Sequence, residues 1–237
     1  MTVPPENPWP VLPSGPLIAP SLLACDFARA GEQIEAVLAA GAQVLHVDIM
    51  DGHFVPNLSM GPGFVKKIRR FTEAPLDVHI MVTDPAYYIE RFAEAGADSI
   101  TFHVEAAARP EALIARLHEL GLGAGITVRP GTPATAVEAF IRDADIVLVM
   151  TVEPGYGGQK FMDDQVEKIR TFRSWLRDDQ RLQVDGGINP ATAAPAAAAG
   201  ADVFVAGENL FGAADIPAAV RELLTAGRSE SPAGSDA

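Results

Sequence analysis

The sequence predicts a single α/β domain folded as a (β/α)8 TIM barrel, and three observations carry that expectation. Four times a helix-like run ends in glycine and a β-branched stretch follows: AAGAQVLHVDI, EAGADSITFHV, ELGLGAGITV and AAGADVFVAG. Extended along the chain, the same alternation gives eight strand-and-helix units in about 210 residues, the size of a closed barrel. No G-x-G-x-x-G turn follows the first strand, so the usual mark of an open doubly wound sheet is missing.

In chain order, strands are expected to begin near Leu17, Val44, Leu76, Ser99, Ala124, Ile146, Leu182 and Val203. Each is a short apolar run, as a parallel strand covered on both faces requires. The glycine that ends each preceding helix can take the left-handed cap conformation without steric cost. Helix starts are read at Asp26 before FARAGEQIEAVL, at Asp84-Pro85 before AYYIERFAEA, and at Pro133 before ATAVEAFI. The barrel is expected to span residues 16–226. Pro4, Pro5, Pro8, Pro10 and Pro13 cannot donate ladder hydrogen bonds, so residues 1–15 read as a flexible, extended arm. The small, polar stretch GRSESPAGSDA at 227–237 reads as a disordered tail.

Hydrophobic residues make up 48% of the 237 and charged residues 21%, a globular balance that excludes a wholly disordered chain. Eighteen basic residues against 31 acidic ones leave a formal charge of −13, which repels phosphate backbones and argues against a nucleic-acid partner. Cys25 is the single cysteine, so neither an internal disulfide nor a multi-cysteine zinc site is possible. No apolar run approaches the roughly 18 to 20 residues that span a bilayer, so no membrane partner is expected. The opening MTVPPENPWPVLPSG lacks the basic start and apolar stretch of a secretory signal, and a cytoplasmic location is expected.

Barrel active sites gather where strands end. The second strand ends HVDIMDGHFVPN, where His46, Asp48 and Met50 are spaced by two and share one face. The third ends DVHIMV, with His79 and Met81 on one face, and the seventh ends QVDGGI, where Asp185 precedes a glycine pair. Two histidines and two aspartates at one mouth suit a divalent cation, and a shared cation accounts for carboxylates otherwise costly to bury. Met50, Met81 and Met150 would ring the same mouth, either as core filler or as a dry surround shielding a reactive intermediate. Glycine-rich turns follow the late strands, EPGYGGQ at 153–159, DGGI at 185–188 and AGEN at 206–209, where backbone N–H groups can approach a phosphate. His53, His103 and His118 carry no spacing that demands a role, and Asp26 reads as a helix cap.

The stretches IAPSLLACDF, HVDIMDGHFVPNLSMGP, DVHIMV, TVEPGYGGQKF and VDGGI together resemble the ribulose-phosphate 3-epimerase family from Ile18 to Gly212. The resemblance implies an isomerase that interconverts D-ribulose 5-phosphate and D-xylulose 5-phosphate, in the pentose phosphate and Calvin pathways. It further implies one divalent cation per chain, with zinc, iron, manganese and cobalt all compatible with the donor set. By position, Ser21 matches the substrate-contacting serine, and His46, Asp48, His79 and Asp185 match the metal ligands. Asp48 and Asp185 also match the acid/base pair that inverts C3 through an enediolate, and His79 and Asp185 also contact substrate. Gly155, Tyr156, Gly157 and Gly158 match the phosphate loop, joined by Gly186, Gly187, Gly207 and the position of Glu208. The family's assemblies imply a homo-oligomer, either dimer or hexamer.

Three positions depart from the family's pattern. Glu208 replaces a serine in the phosphate grip and is expected to turn its carboxylate away from it. Gln183 stands where glutamate is common, and Arg129 where a small or amide residue is usual. Three rival readings remain open at this point. A sister epimerase of allulose 6-phosphate would use the same residues. A barrel lyase or decarboxylase would be expected to carry a lysine beside the strand aspartates, and none lies in or next to HVDIMD, DVHIMV or QVDGGI. A sugar-phosphate sensor would have no need of both aspartates.

Overall fold

The buried apolar runs form eight parallel strands: β1 Leu17–Pro20, β2 Leu45–Met50, β3 Leu76–Met81, β4 Ser99–His103, β5 Gly123–Val128, β6 Ile146–Met150, β7 Arg181–Asp185 and β8 Val203–Ala206. This is a computed structural model, and it describes residues 7–228. The strands pair in the order β1-β8-β7-β6-β5-β4-β3-β2. A parallel bridge between Ser21 and His46 joins the two ends of that order and completes the barrel. Lower on this seam Gln43 stands in for a ladder: its side-chain oxygen accepts from Ile18 N–H at 2.9 Å and its own N–H donates to Ile18 O.

Helices α1 Ala30–Ala39, α2 Pro62–Phe71, α3 Pro85–Ala95, α4 Pro110–Glu119, α5 Gln165–Trp175, α6 Pro190–Ala198, α7 Glu208–Phe211 and α8 Ile216–Gly227 wrap the outside. Strand alternation divides the side chains into two cores. Leu45, Val47 and Ile49 face the helices with Ile34, Val37 and Val65, while His46, Asp48 and Met50 face the barrel interior. All four helix-ending glycines read from the repeat, Gly41, Gly96, Gly121 and Gly200, have positive φ, which is why each helix can reverse into its strand within three to five residues. Asp84 caps α3 as expected, accepting from Tyr87 N–H. Asp26 caps a 3₁₀ turn, Phe27–Arg29, that leads into α1.

Two expectations are corrected. The run after Pro133 is not an α-helix but two 3₁₀ turns, Ala134–Val137 and Ile141–Asp143. Pro133 offers no side-chain cap, and Phe140 leaves the helical region at φ −135°, ψ 4°. Lys168 of α5 instead ties the preceding loop down by donating to the carbonyls of Arg129, Pro130 and Thr132. The proline-rich segment is also not free once it reaches Asn7. Trp9 is only 1% exposed and packs with Leu17, Val44, Ile146 and Val203 at the floor of the barrel. Arg181 holds the segment by donating to Leu12 O and Pro13 O, both at 2.9 Å. Residues 1–6 of the expected arm and 229–237 of the expected tail lie outside the described residues.

Candidate active site

Registry between β2 and β3 sets the site. Paired residues are His46 with Asp77, Asp48 with His79, and Met50 with Met81, so acids and imidazoles interleave along two adjacent strands. Asp185 enters from the end of β7, beside Met150 of β6. One ligand-type atom from each of His46, Asp48, His79 and Asp185 falls within 4.8 Å of the others. Asp48 is central: its Oδ1 lies 3.1 Å from His79 Nδ1 and 3.4 Å from His46 Nε2, and its Oδ2 accepts from Ser21 Oγ at 2.6 Å. Asp185 Oδ2 lies 4.0 Å from His79 Nδ1. The sequence reading brought these five side chains together, and the structure places all five in one cluster.

Behind them stands a second ring, of which the sequence reading named Gln183 only as a departure and His103 only as a residue without a role. His46 Nδ1 lies 2.9 Å from Asp77 Oδ2, which also accepts from Gln183 Nε2 at 2.9 Å, while Ser99 Oγ donates to Asp77 Oδ1 at 2.7 Å. Gln183 thus bonds a buried carboxylate across the barrel, where a glutamate would add another acid. His103, read as bland, is fully buried, and its Nε2 lies 3.0 Å from His79 Nε2. Alternation could have found Asp77 and His103, because each faces inward two residues from a side chain of the barrel interior. His53 bonds within its own turn and His118 pairs with Asp145 on the surface, as their bland reading requires.

The charges sort the cluster. Burial opposes ionisation of Asp48, but His46 and His79 outweigh it and hold its carboxyl well below the usual carboxylate range. Burial, reinforced by the charge on Asp48, pushes Asp185 up to about 7. His46 is raised despite burial because Asp48 and Asp77 both face it. His79 and His103 are lowered by burial, His103 to about 4. Two identical carboxyls are therefore driven apart, the pattern that distinguishes an acid from a base.

The donor set fits a divalent cation. His46 Nε2 is fully buried, directed at the cluster and without a hydrogen-bond partner, which is costly unless something accepts its lone pair or its proton. Two imidazoles and two carboxylates suit borderline transition metals.

The cluster opens into a cavity of about 850 Å³ lined by Ser21, Met50, Met81, Met150, the 155–158 loop, Gly186, Gly187, Gly207 and Glu208. The three methionines are at most 3% exposed, so they wall the mouth with apolar, nearly dry surface. Gly186 and Gly187 have φ of 121° and 64°, and a Cβ on either would lie 2.5 Å from Val152 or Phe161, so the turn after β7 needs glycine at both positions. Across the mouth Asn57 Nδ2 donates to Gly155 O and Tyr156 OH donates to Pro56 O, both at 2.7 Å. The Glu208 side chain lies beside the glycine loop, with Oε1 3.9 Å from where a Cβ on Gly157 would sit.

Barrel, mouth and buried acid–imidazole cluster define a (β/α)8-barrel enzyme. The chain belongs to the ribulose-phosphate 3 epimerase family, whose sequence profile matches residues 17–211. It is 47% identical over 195 residues to the ribulose-phosphate 3-epimerase of Rhodobacter capsulatus, covering 82% of this chain and 85% of that one. It is 42% identical over 210 residues to that of Bacillus subtilis (strain 168), covering 87% and 97%. Among solved structures, 3-keto-L-gulonate-6-phosphate decarboxylase from Vibrio cholerae superposes with a TM-score of 0.68 at 20% identity, over 90% of this chain and 98% of that one. Orotidine 5'-phosphate decarboxylase from Pyrococcus horikoshii OT3 gives 0.68 at 19%, over 90% and 100%. These two share the fold. Among the described residues no helix is long and apolar enough to cross a membrane.

Proposed function

We propose that the chain inverts C3 of D-ribulose 5-phosphate to give D-xylulose 5-phosphate, using Asp48 and Asp185 as its two proton-transfer groups. The observation that carries this reading is the pair itself: two carboxyls in one cavity, clustered with the same two imidazoles, with surroundings that shift them in opposite directions. Inversion next to a carbonyl needs one group to remove a proton and another to return it to the opposite face. Two fixed carboxyls do this without turning the enediolate over.

His46, Asp48, His79 and Asp185 would hold one divalent cation. When bound, the cation supplies Lewis acidity toward the oxygens flanking the exchanging carbon. Ser21, bonded to Asp48, fixes that carboxylate and faces the cavity. Met50, Met81 and Met150 exclude water from the carbon that exchanges its proton. The backbone N–H groups of the glycine loops after β6, β7 and β8 form the phosphate grip.

The test is a coupled assay of ribulose 5-phosphate epimerisation on the chelated protein, before and after adding zinc, iron(II), manganese or cobalt, with one run in heavy water. Activity restored by a cation and solvent deuterium at C3 of the product are the expected results. Full activity in a demonstrably metal-free sample, or product without deuterium, would overturn the reading.

A further inference from the structure

The two histidines of the cluster point different nitrogens into it. His46 presents Nε2, its Nδ1 being held by Asp77, whereas His79 presents Nδ1, which lies 3.1 Å from Asp48 and 4.0 Å from Asp185. A nitrogen can ligate only if it carries the lone pair, so His79 must bear its proton on Nε2. That proton needs an acceptor, and the facing atom is His103 Nε2 at 3.0 Å. Two facing imidazole nitrogens at this distance share one proton: one donates, the other accepts.

What sets the direction lies on the far side of His103. Its Nδ1 is buried, makes no hydrogen bond and lies 3.6 Å from Glu105 Oε2. That distance is too long for a hydrogen bond but favours a proton on the nitrogen nearest the carboxylate. Glu105 is fixed for this task. Its other oxygen, Oε1, accepts from Arg129 N–H at 2.7 Å and from Thr132 Oγ1 at 2.5 Å. A proton on His103 Nδ1 leaves His103 Nε2 as the acceptor, which places the His79 proton on Nε2 and frees His79 Nδ1. Phe54 seals the pair, its ring centroid 4.8 Å from that of His103, and the Arg129 guanidinium stacks on Phe54 at 4.2 Å. Arg129, a departure from the family's pattern, therefore serves this shell through both its backbone and its side chain.

We propose that His103, backed by Glu105, is a positioning residue that fixes His79 in the tautomer whose Nδ1 can ligate. The inference rests on the cation reading above. His103 acts only as an acceptor for His79, buried behind it and out of reach of cation and substrate.

The experiment measures zinc affinity of the full chain by competition with a chromophoric chelator, for the parent, His103→Leu and His103→Gln. Circular dichroism confirms that each variant folds. Leucine removes the acceptor, and zinc binding is expected to weaken about 10- to 100-fold, the range for outer-shell partners of ligating histidines. Glutamine can accept through its amide oxygen, and its affinity is expected to stay within about threefold of the parent. Leucine binding as tightly as the parent, or glutamine falling as far as leucine, overturns the proposal. Should the leucine variant not fold, nitrogen-15 spectra of the zinc-loaded parent decide: a proton on His79 Nε2 and on His103 Nδ1 is expected, and a proton on His103 Nε2 overturns it. A parent chain that takes up no zinc overturns the cation reading together with this one, whereas tight parent binding with an indifferent leucine variant overturns this one alone.

Discussion

Asp48 and Asp185 are the same side chain in the same cavity, yet their surroundings push one carboxyl down and the other up. Replacing either by asparagine keeps the shape and removes the titrating oxygen. Each change is expected to lower kcat at least about 100-fold, the low end of a general acid/base contribution, and steady-state kinetics of the two variants checks it. Asp185 also makes a prediction about stability. Its folded value near 7 lies above the roughly 3.9 of an unfolded aspartate. Between those limits the folded chain holds an extra proton on Asp185, so the contribution of Asp185 to the stability of metal-free protein should fall as pH rises from about 4 to about 7 and level off beyond, while the lowered His79 and His103 act in the opposite sense over much of that range. Thermal melts of the chelated parent and of Asp185→Asn across that range should show it as a parent-minus-variant stability that declines with rising pH. His46, Asp48 and His79 were legible because spacing by two fixes a shared strand face, and Asp185 because it ends a strand before a glycine pair. Their partners were only half legible: alternation turns Asp77 and His103 inward, but registry alone sets one beside His46 and the other against His79.

Elements were legible where periodicity and punctuation agreed. The glycine-ended helices and the apolar strands fall where the repeat put them, within a residue or two. The run after Pro133 failed because its apolar residues serve two short turns, and nothing in the composition separates those from one helix. Trp9 was missed for a different reason: prolines describe the backbone around it but not what the indole covers. Removing that plug by Trp9→Ala should cost about 3–5 kcal/mol, the range for emptying a buried aromatic site. A lower urea midpoint with kcat intact is expected, since Trp9 sits at the end of the barrel away from the mouth. The loop after β8 carries the other departure. A carboxylate held ~4 Å from a phosphate would oppose binding by about 4 kcal/mol at an effective dielectric near 20. Glu208 is solvent-exposed, however, and can swing clear. Glu208→Ser should therefore change KM for ribulose 5-phosphate by less than about tenfold. A larger improvement would mark another ketose phosphate as the substrate this mouth prefers.

At the scale of the whole molecule, a cation bound by β2, β3 and β7 would cross-link strands that are distant in sequence, and it would bind the folded chain alone. Zinc at about 100 times its dissociation constant should then raise stability by about 2.7 kcal/mol. For a chain of this length that is a Tm increase of about 5–11 °C over the chelated protein, readable by calorimetry. The seam between β1 and β2 bears on how the barrel breathes. Every other strand pair is zipped over three to six registered residues, but here the cylinder is fastened by the Ser21–His46 bridge above and Gln43 below. The fewest ladder bonds make this the line along which backbone amides should exchange with solvent first. Its upper stitch joins the residue that holds Asp48 to a residue of the cluster. Transient parting of the wall therefore pulls the acid–imidazole group apart before any other piece of the barrel loosens, and whatever fills that group acts as the clasp of the cylinder.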